Sequence, residues 1–174
     1  MKFPDLCASV LLVTLAACAG TAASDLSLPA ELTPAPSSSV QRLAARGVQI
    51  YECRVAADPY SPAQWASVAP EAELFDGDGK RVGRHFAGPH WEADDGSRIV
   101  GSVKARADAP KRDAIAWLLM SATSVGARGR FSGVTQVQRI HTVGGVAPTT
   151  ACTPGAPGGP VRVPYSADYV FFSA

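Results

Sequence analysis

The sequence predicts an all-β domain, a single antiparallel sandwich or barrel-like fold with little helix, that follows a signal peptide. Several short segments alternate apolar and polar residues with the period of two expected of half-buried strands. No long amphipathic helical pattern is present, and 16 glycines and 14 prolines supply turns between short strands. The 174 residues are enough for one domain, placed at residues 40–174, with no detectable internal repeat.

The clearest strand signals lie in the first half of the domain. Residues 49–55 and 97–105 alternate most regularly, and Val103 belongs to the apolar face of the second segment. Residues 76–79 (Asp-Gly-Asp-Gly) and 94–96 (Asp-Asp-Gly) are acidic, glycine-containing turns of the kind that join antiparallel strands.

Three later segments are less regular. Residues 114–122 are apolar throughout and fit a central strand or a short buried helix; a strand is favoured because Ser, Thr and Val follow and Gly126 ends the run. Residues 134–142 break strict alternation, which a bulge or an early strand end explains. Residues 165–172 are apolar on both faces and are therefore predicted inside a sheet.

The N-terminus predicts export and a lipid anchor. Its apolar stretch of about a dozen residues is shorter than the roughly 20 that a spanning helix needs, but it fits a signal peptide at residues 1–17. Leu-Ala-Ala-Cys at residues 15–18 resembles the bacterial lipobox, in which the cysteine, here Cys18, is lipidated and becomes the first mature residue. The alternative is cleavage after Ala19 or Ala23, which would leave a soluble secreted or periplasmic protein.

Residues 18–39 are rich in proline and serine and are predicted to be a semi-extended tether. Packing of the segment around Leu26, Leu28 and Leu32 on the edge of the domain is the alternative. The expected location is the cell envelope, on the periplasmic side of the outer membrane, and the expected partner is that membrane, bound through the lipid on Cys18.

The cysteines predict one disulfide bond. Cys7 is lost with the signal peptide and Cys18 carries the lipid, so Cys53 and Cys152 remain, and an oxidising compartment allows them one intramolecular pairing. Closing a loop of about 100 residues stabilises a fold by up to roughly 4–5 kcal/mol in the chain-entropy model. Two unrelated thiols are the alternative.

Composition and motifs exclude several functions. Lys and Arg number 16 against 15 acidic residues, a balance that argues against a nucleic-acid partner. No glycine-rich nucleotide motif and no serine-hydrolase elbow occur, so no cofactor is predicted.

Residues 85–95 are the weak catalytic candidates. His85, His90 and Glu92 come nearest to a metal cluster, but their convergence would need a turn, so no metal is predicted. Glu92 and Asp95 are among the acids that could form a carboxylate pair for glycoside hydrolysis. Residues 76–79 lack the following glutamate of a calcium loop.

Two further features are candidates for binding. Arg128 and Arg130 lie in a glycine-flexible loop that could receive a phosphate or carboxylate, with a solvated surface loop as the alternative. Trp65, Trp91 and Trp117 could stack on a sugar ring, although packing in the core is the more frequent role.

Several segments, in order, carry a family resemblance. They are Gly-Val-Gln-Ile-Tyr-Glu-Cys at residues 47–53, Gly-Pro-His-Trp-Glu at 88–92, Val-Thr-Gln-Val-Gln-Arg at 134–139 and Val-Pro-Tyr-Ser-Ala-Asp-Tyr at 163–169. From about residue 26 to the C-terminus the sequence resembles the exported family catalogued as domain of unknown function 3455. The resemblance implies a secreted or anchored protein of bacteria or fungi and no established activity. His90 stands where that pattern has a small hydroxyl residue.

The sequence therefore favours a non-enzymatic binding or structural module of the envelope, with an unknown ligand. The alternative is an envelope hydrolase acting on glycosidic or ester bonds through the acids and histidines of residues 85–95. An enzyme should show a pocket in which these groups converge.

Overall fold

The polypeptide forms a closed barrel in which each antiparallel strand is hydrogen-bonded to the next one along the chain. The computed structural model describes residues 28–58, 60–155 and 159–174. Within them the strands are β1 (Ser39–Arg54), β2 (Gln64–Phe75), β3 (Arg81–Phe86), β4 (His90–Ala93), β5 (Arg98–Ala107), β6 (Trp117–Ser124), β7 (Val134–Gly144) and β8 (Val161–Ser173). Strand β8 pairs with β1 and closes the sheet. The predicted all-β antiparallel fold is confirmed, and of the two architectures the barrel is the one formed.

The irregular segments became strands, as predicted. Residues 114–122 contribute most of β6, which alternates Trp117 and Leu119 on the outer face with Met120 on the inner face. Strand β7 continues to Gly144 and carries register shifts against β8 near both ends, so irregular pairing, and not an early strand end, accounts for the broken alternation. The predicted apolar face of residues 97–105 ends at Gly101. Val103 is 55% exposed, and after a register shift that follows it Ala105 packs with the outer apolar residues.

The two acidic turns join neighbouring strands. Asp76 Oδ1 accepts hydrogen bonds from the backbone nitrogens of Asp78 (3.1 Å) and Lys80 (2.9 Å), which fixes the turn between β2 and β3. Its carboxylate is therefore used within the turn, as an Asx turn uses it. Residues 94–96 form the turn between β4 and β5.

The barrel interior is a packed apolar core. Its largest buried members are aromatic and lie on β4, β8 and the β6–β7 connection, namely Trp91, Tyr169, Phe171 and Phe131. Because successive side chains of a strand point to opposite faces, the same strands present a second set of residues outward.

The outward apolar residues of β6, β7 and β8 are covered by the chain that precedes β1. Leu32 is fully buried (0% exposed) against Trp117, Ile140 and Phe172. Gln138 Nε2 donates to the Leu32 carbonyl oxygen (2.6 Å), which satisfies a backbone acceptor that the packing removes from water. Of the two alternatives for Leu28 and Leu32, packing on the domain is the one that the structure describes. We call residues 28–38 the strap.

Helical structure in the described part of the chain is one short 3₁₀ turn, Ala30–Leu32. No helix there is long and apolar enough to cross a membrane. The predicted signal peptide and Cys18 lie outside the described residues.

The predicted disulfide is confirmed. Cys53, at the end of β1, is bonded to Cys152 in the long connection between β7 and β8, with the two Cα atoms 5.7 Å apart. Trp65 Nε1 donates to the Thr150 carbonyl oxygen (3.0 Å) beside it. The bond therefore fixes that connection to the end of β1.

Candidate functional site

His85, the first candidate for catalysis, lies in the barrel core. Its ring stacks on the indole of Trp91 with the centroids 4.5 Å apart and meets the edge of Tyr169 at 4.9 Å. Nδ1 donates to the backbone carbonyl oxygen of His90 (2.7 Å). Burial lowers the pKa of His85 to about 3, so the imidazole is neutral at physiological pH. It acts as a polar member of the core.

His90 and Glu92 are on the opposite, outer face of the sheet. His90 Nδ1 donates to the Ala87 carbonyl oxygen (2.7 Å). Glu92 accepts hydrogen bonds from Arg84 (2.8 Å) and Arg98 (3.5 Å). The Glu92 carboxylate is thus part of a cross-strand ion-pair cluster, and it faces away from His85.

Asp95 organises the end of the barrel. Its carboxylate accepts hydrogen bonds from the hydroxyl (2.6 Å) and the backbone nitrogen (2.9 Å) of Ser97, and from the backbone nitrogen of Arg130 (2.8 Å). These bonds lower the pKa of Asp95 to about 2, with the Ser97 hydroxyl as the largest cause. The residue ties the β4–β5 turn to the β6–β7 connection.

The four candidates therefore do not converge on one cleft: His85 is internal, His90 and Glu92 are external, and Asp95 lies in a turn. The residues described contain no group of three His, Cys, Asp or Glu side chains that could hold a metal ion.

Arg128 and Arg130 are both exposed. Arg130 shares a shallow cleft with Lys80, Arg81, Asp94 and Asp95, in which Asp94 is paired with Arg81 and Asp95 accepts a hydrogen bond from the Arg130 backbone nitrogen. An anion site at this loop stays a prediction.

The three tryptophans have different surroundings. Trp91 is buried in the interior of the barrel, and Trp117 is buried under the strap. Trp65 is half-buried beside the disulfide.

A cleft of about 590 Å³ opens at the end of the barrel where the chain passes from β5 to β6 and leaves β7. Gln49 and Tyr51 of β1 and Arg139 of β7 line it, together with parts of the β5–β6 connection and residues 146–147. We call it the mouth cleft. An isolated bridge between Ala114 and Gly145 joins two of its walls.

Arg139 brings a positive charge to the inner part of the mouth cleft. Its Nε and Nη2 donate to the carbonyl oxygen of Ala116 (3.1 and 2.9 Å), which fixes the guanidinium group. Among the described residues it forms no ion pair with a carboxylate. Burial raises the pKa of the Tyr51 hydroxyl, and the Arg139 charge offsets part of that effect. The guanidinium group of Arg139 therefore lies close enough to the buried Tyr51 hydroxyl to act on it electrostatically.

Gln49 and Tyr51 are the other polar groups of that region. The Tyr51 hydroxyl donates to the Gly145 carbonyl oxygen (2.6 Å) and is thereby occupied. Gln49 is 5% exposed, and its Nε2 has no hydrogen bond of acceptable geometry to the described residues. The amide is near enough to the Tyr165 hydroxyl to offset slightly the raised pKa that burial gives that group. An unpaired buried amide is costly, because its hydrogen bonds to water are lost without replacement.

The outer part of the mouth cleft is cationic. Arg106, Lys111 and Arg112 line it and are exposed, and Asp108 is the one acidic residue among the lining side chains. The whole chain has a net charge of only +1. Positive charge is therefore concentrated at this end of the barrel.

Sequence reasoning did not find the mouth cleft. One signal was available: Arg139 lies two residues after Val137, which is fully buried, and both belong to the same face of β7. An arginine on the inner face of a strand is a reason to look for a ligand or a buried ion pair.

Comparison with known families gives one match. A family model described as "Protein of unknown function (DUF3455)" matches residues 34–173, which is most of the chain. The comparison with curated proteins gives no match.

Proposed function

Because the chain belongs to the DUF3455 family of proteins of unknown function, we propose a function from its geometry: it is a binding module that holds a small ligand in the mouth cleft. In up-and-down barrels the open end is a frequent ligand site, because the strands form rigid walls and the connections between them vary. The observation that carries the proposal is the buried amide of Gln49, whose Nε2 lacks a well-formed hydrogen bond to the described residues, at a cleft that also contains Arg139, which pairs with no carboxylate among those residues.

The hydrolase alternative has less support. General acid–base chemistry needs groups within hydrogen-bonding reach of one substrate atom. The wall of the barrel separates His85 from His90 and Glu92, Asp95 lies in a turn, and each of the four side chains is held by other contacts.

A screen for ligands tests the binding function. The melting temperature of the purified protein would be measured with a library of small organic acids, amides and amines. We expect some members to raise it, and we expect Ala147→Trp, which fills the cleft, to remove the shift. Ser102→Trp, on an exposed part of β5, is the matched control and should keep the shift. No shift with any compound, or an equal shift in Ala147→Trp, would contradict the proposal.

We further propose that this module is displayed in the cell envelope through a lipid on Cys18. The support is the lipobox-like sequence of residues 15–18 and the short apolar stretch before it. Cells would be labelled with a radioactive fatty acid while they produce the wild type or Cys18→Ser. We expect label in the wild type alone. Equal labelling would contradict a lipid on Cys18, and no label in either protein would favour a soluble secreted or periplasmic protein.

A further inference from the structure

Two side chains bring hydrogen-bond donors to the inner part of the mouth cleft. Arg139 has a guanidinium group with five N–H bonds, of which the Ala116 carbonyl oxygen takes two and the Tyr169 hydroxyl lies within reach of another. The Gln49 amide offers its unpaired Nε2. The Tyr51 hydroxyl is already committed to Gly145. A group that only accepts hydrogen bonds, such as a carboxylate or a phosphate, complements this set.

The charges of the cleft select for the same chemistry. A partly buried cation without a counterion is unfavourable, and a bound anion removes that cost. Arg106, Lys111 and Arg112 surround the entrance, and Asp108 opposes them with a single negative charge. Such an arrangement raises the local concentration of anions at the entrance.

We infer that the mouth cleft binds an organic anion, with its carboxylate or phosphate against Arg139 and Gln49 and its apolar part against Ile115 and Val146. This inference rests on the proposed function and names its ligand class. The apolar wall argues for an organic molecule, since a bare inorganic ion would leave Ile115 and Val146 without a contact.

Matched probes separate the charge from the shape of a ligand. The dissociation constants of 2-naphthoate and 2-naphthyl phosphate would be compared with those of 2-naphthamide and 2-(aminomethyl)naphthalene by titration calorimetry. We expect the two anions to bind at least tenfold more tightly than the amide, and the amine to bind weakest. Raising the salt concentration should weaken the anions alone.

Two kinds of variant locate the binding. Arg139→Met and Gln49→Leu should each weaken 2-naphthoate about tenfold or more. Since Arg139 also holds Ala116, the exposed double variant Arg106→Gln/Arg112→Gln provides a test without risk to folding: it should weaken the anions severalfold and reduce their salt dependence. Exposed cations outside the cleft, changed in Arg42→Gln/Lys104→Gln, serve as the charge-matched control and should have no such effect.

The outcomes distinguish the inference from the proposed function. If anion and amide bind equally and Ala147→Trp blocks both, the cleft is a binding site but the inference about anions is wrong. Binding of none of the four probes, together with an empty library screen, would overturn both. Equal loss of affinity in Arg106→Gln/Arg112→Gln and in its control Arg42→Gln/Lys104→Gln would also overturn the inference.

A further arm identifies the source of the anionic group. Flotation with vesicles of phosphatidylcholine alone, or of phosphatidylcholine with about 30% phosphatidylglycerol, would show whether a lipid headgroup competes with 2-naphthyl phosphate. Competition by the anionic vesicles alone assigns the site to a lipid headgroup, and its absence assigns it to a soluble anion. Either result is compatible with the inferred chemistry, whereas competition by pure phosphatidylcholine would contradict it.

Discussion

Mild acid should destabilise the barrel through His85. In the folded protein the pKa of this imidazole is lowered from 6.5 to about 3, with burial as the largest cause and the nearby charge of Arg139 as a smaller one. Between these two values the unfolded chain binds a proton that the folded chain does not, so stability rises with pH and is lost as the pH falls through 6.5. From pH 7 to pH 5 the expected loss from this one group is about 2 kcal/mol.

Urea unfolding at pH 7 and pH 5 would measure the effect. The difference in unfolding free energy between the two pH values should be about 2 kcal/mol smaller in His85→Gln than in the wild type. His90→Gln, which removes an imidazole from the outer surface, is the control and should retain the wild-type difference. If His85→Gln and the wild type lose the same stability on acidification, the argument that burial keeps His85 neutral is wrong.

Three variants, one of them with a matched control, test the packing. Replacing both Cys53 and Cys152 by alanine should lower the free energy of unfolding by up to about 4–5 kcal/mol, because the bond spans 99 residues. A reductant should then no longer affect urea unfolding of this variant, and continued sensitivity to the reductant would contradict the prediction. Gly101→Ala should lower the free energy of unfolding by about 1–3 kcal/mol, because the added Cβ would lie 2.8 Å from the buried indole of Trp91. In the control Gly77→Ala the added Cβ meets no atom within 4 Å, so this variant should unfold at nearly the wild-type urea concentration. Leu32→Ala should cost about 2–5 kcal/mol, and a loss below about 0.5 kcal/mol would show that the strap contributes little.

Local patterns were sufficient to predict five of the eight strands, namely β1, β5, β6, β7 and β8, whereas β2, β3 and β4 were not assigned from the sequence. The apolar residues 114–122 could be assigned because serine, threonine and a closing glycine follow them, and they form most of β6. Their apolar character on both faces has a physical reason: the inner face meets the core, and the outer face, with Trp117 and Leu119, meets the strap. The disulfide was predictable because the export expected from the N-terminus would leave two cysteines to pair, and the structure joins Cys53 to Cys152.

Long-range arrangement was not predictable from the same patterns. Closure of the sheet depends on pairing between β1 and β8, and no local signal encodes which strands become neighbours. The strap is proline-rich, like a tether, and its contacts depend on Leu32 meeting a surface formed by three distant strands. The mouth cleft was missed for the same reason, since Gln49 and Arg139 are 90 positions apart in sequence.

The pairing of β1 with β8 also has a consequence for how the protein folds during synthesis. Residues 39–51 must wait for residues 161–173 before they gain that partner. Until then the growing chain carries two unpaired sheet edges, which are templates for association with other chains. Contacts so distant in sequence form slowly. The last stretch of the chain to be made therefore limits how soon the molecule is protected from aggregation, and truncations there should reduce yield more than equally long deletions in the β2–β3 turn.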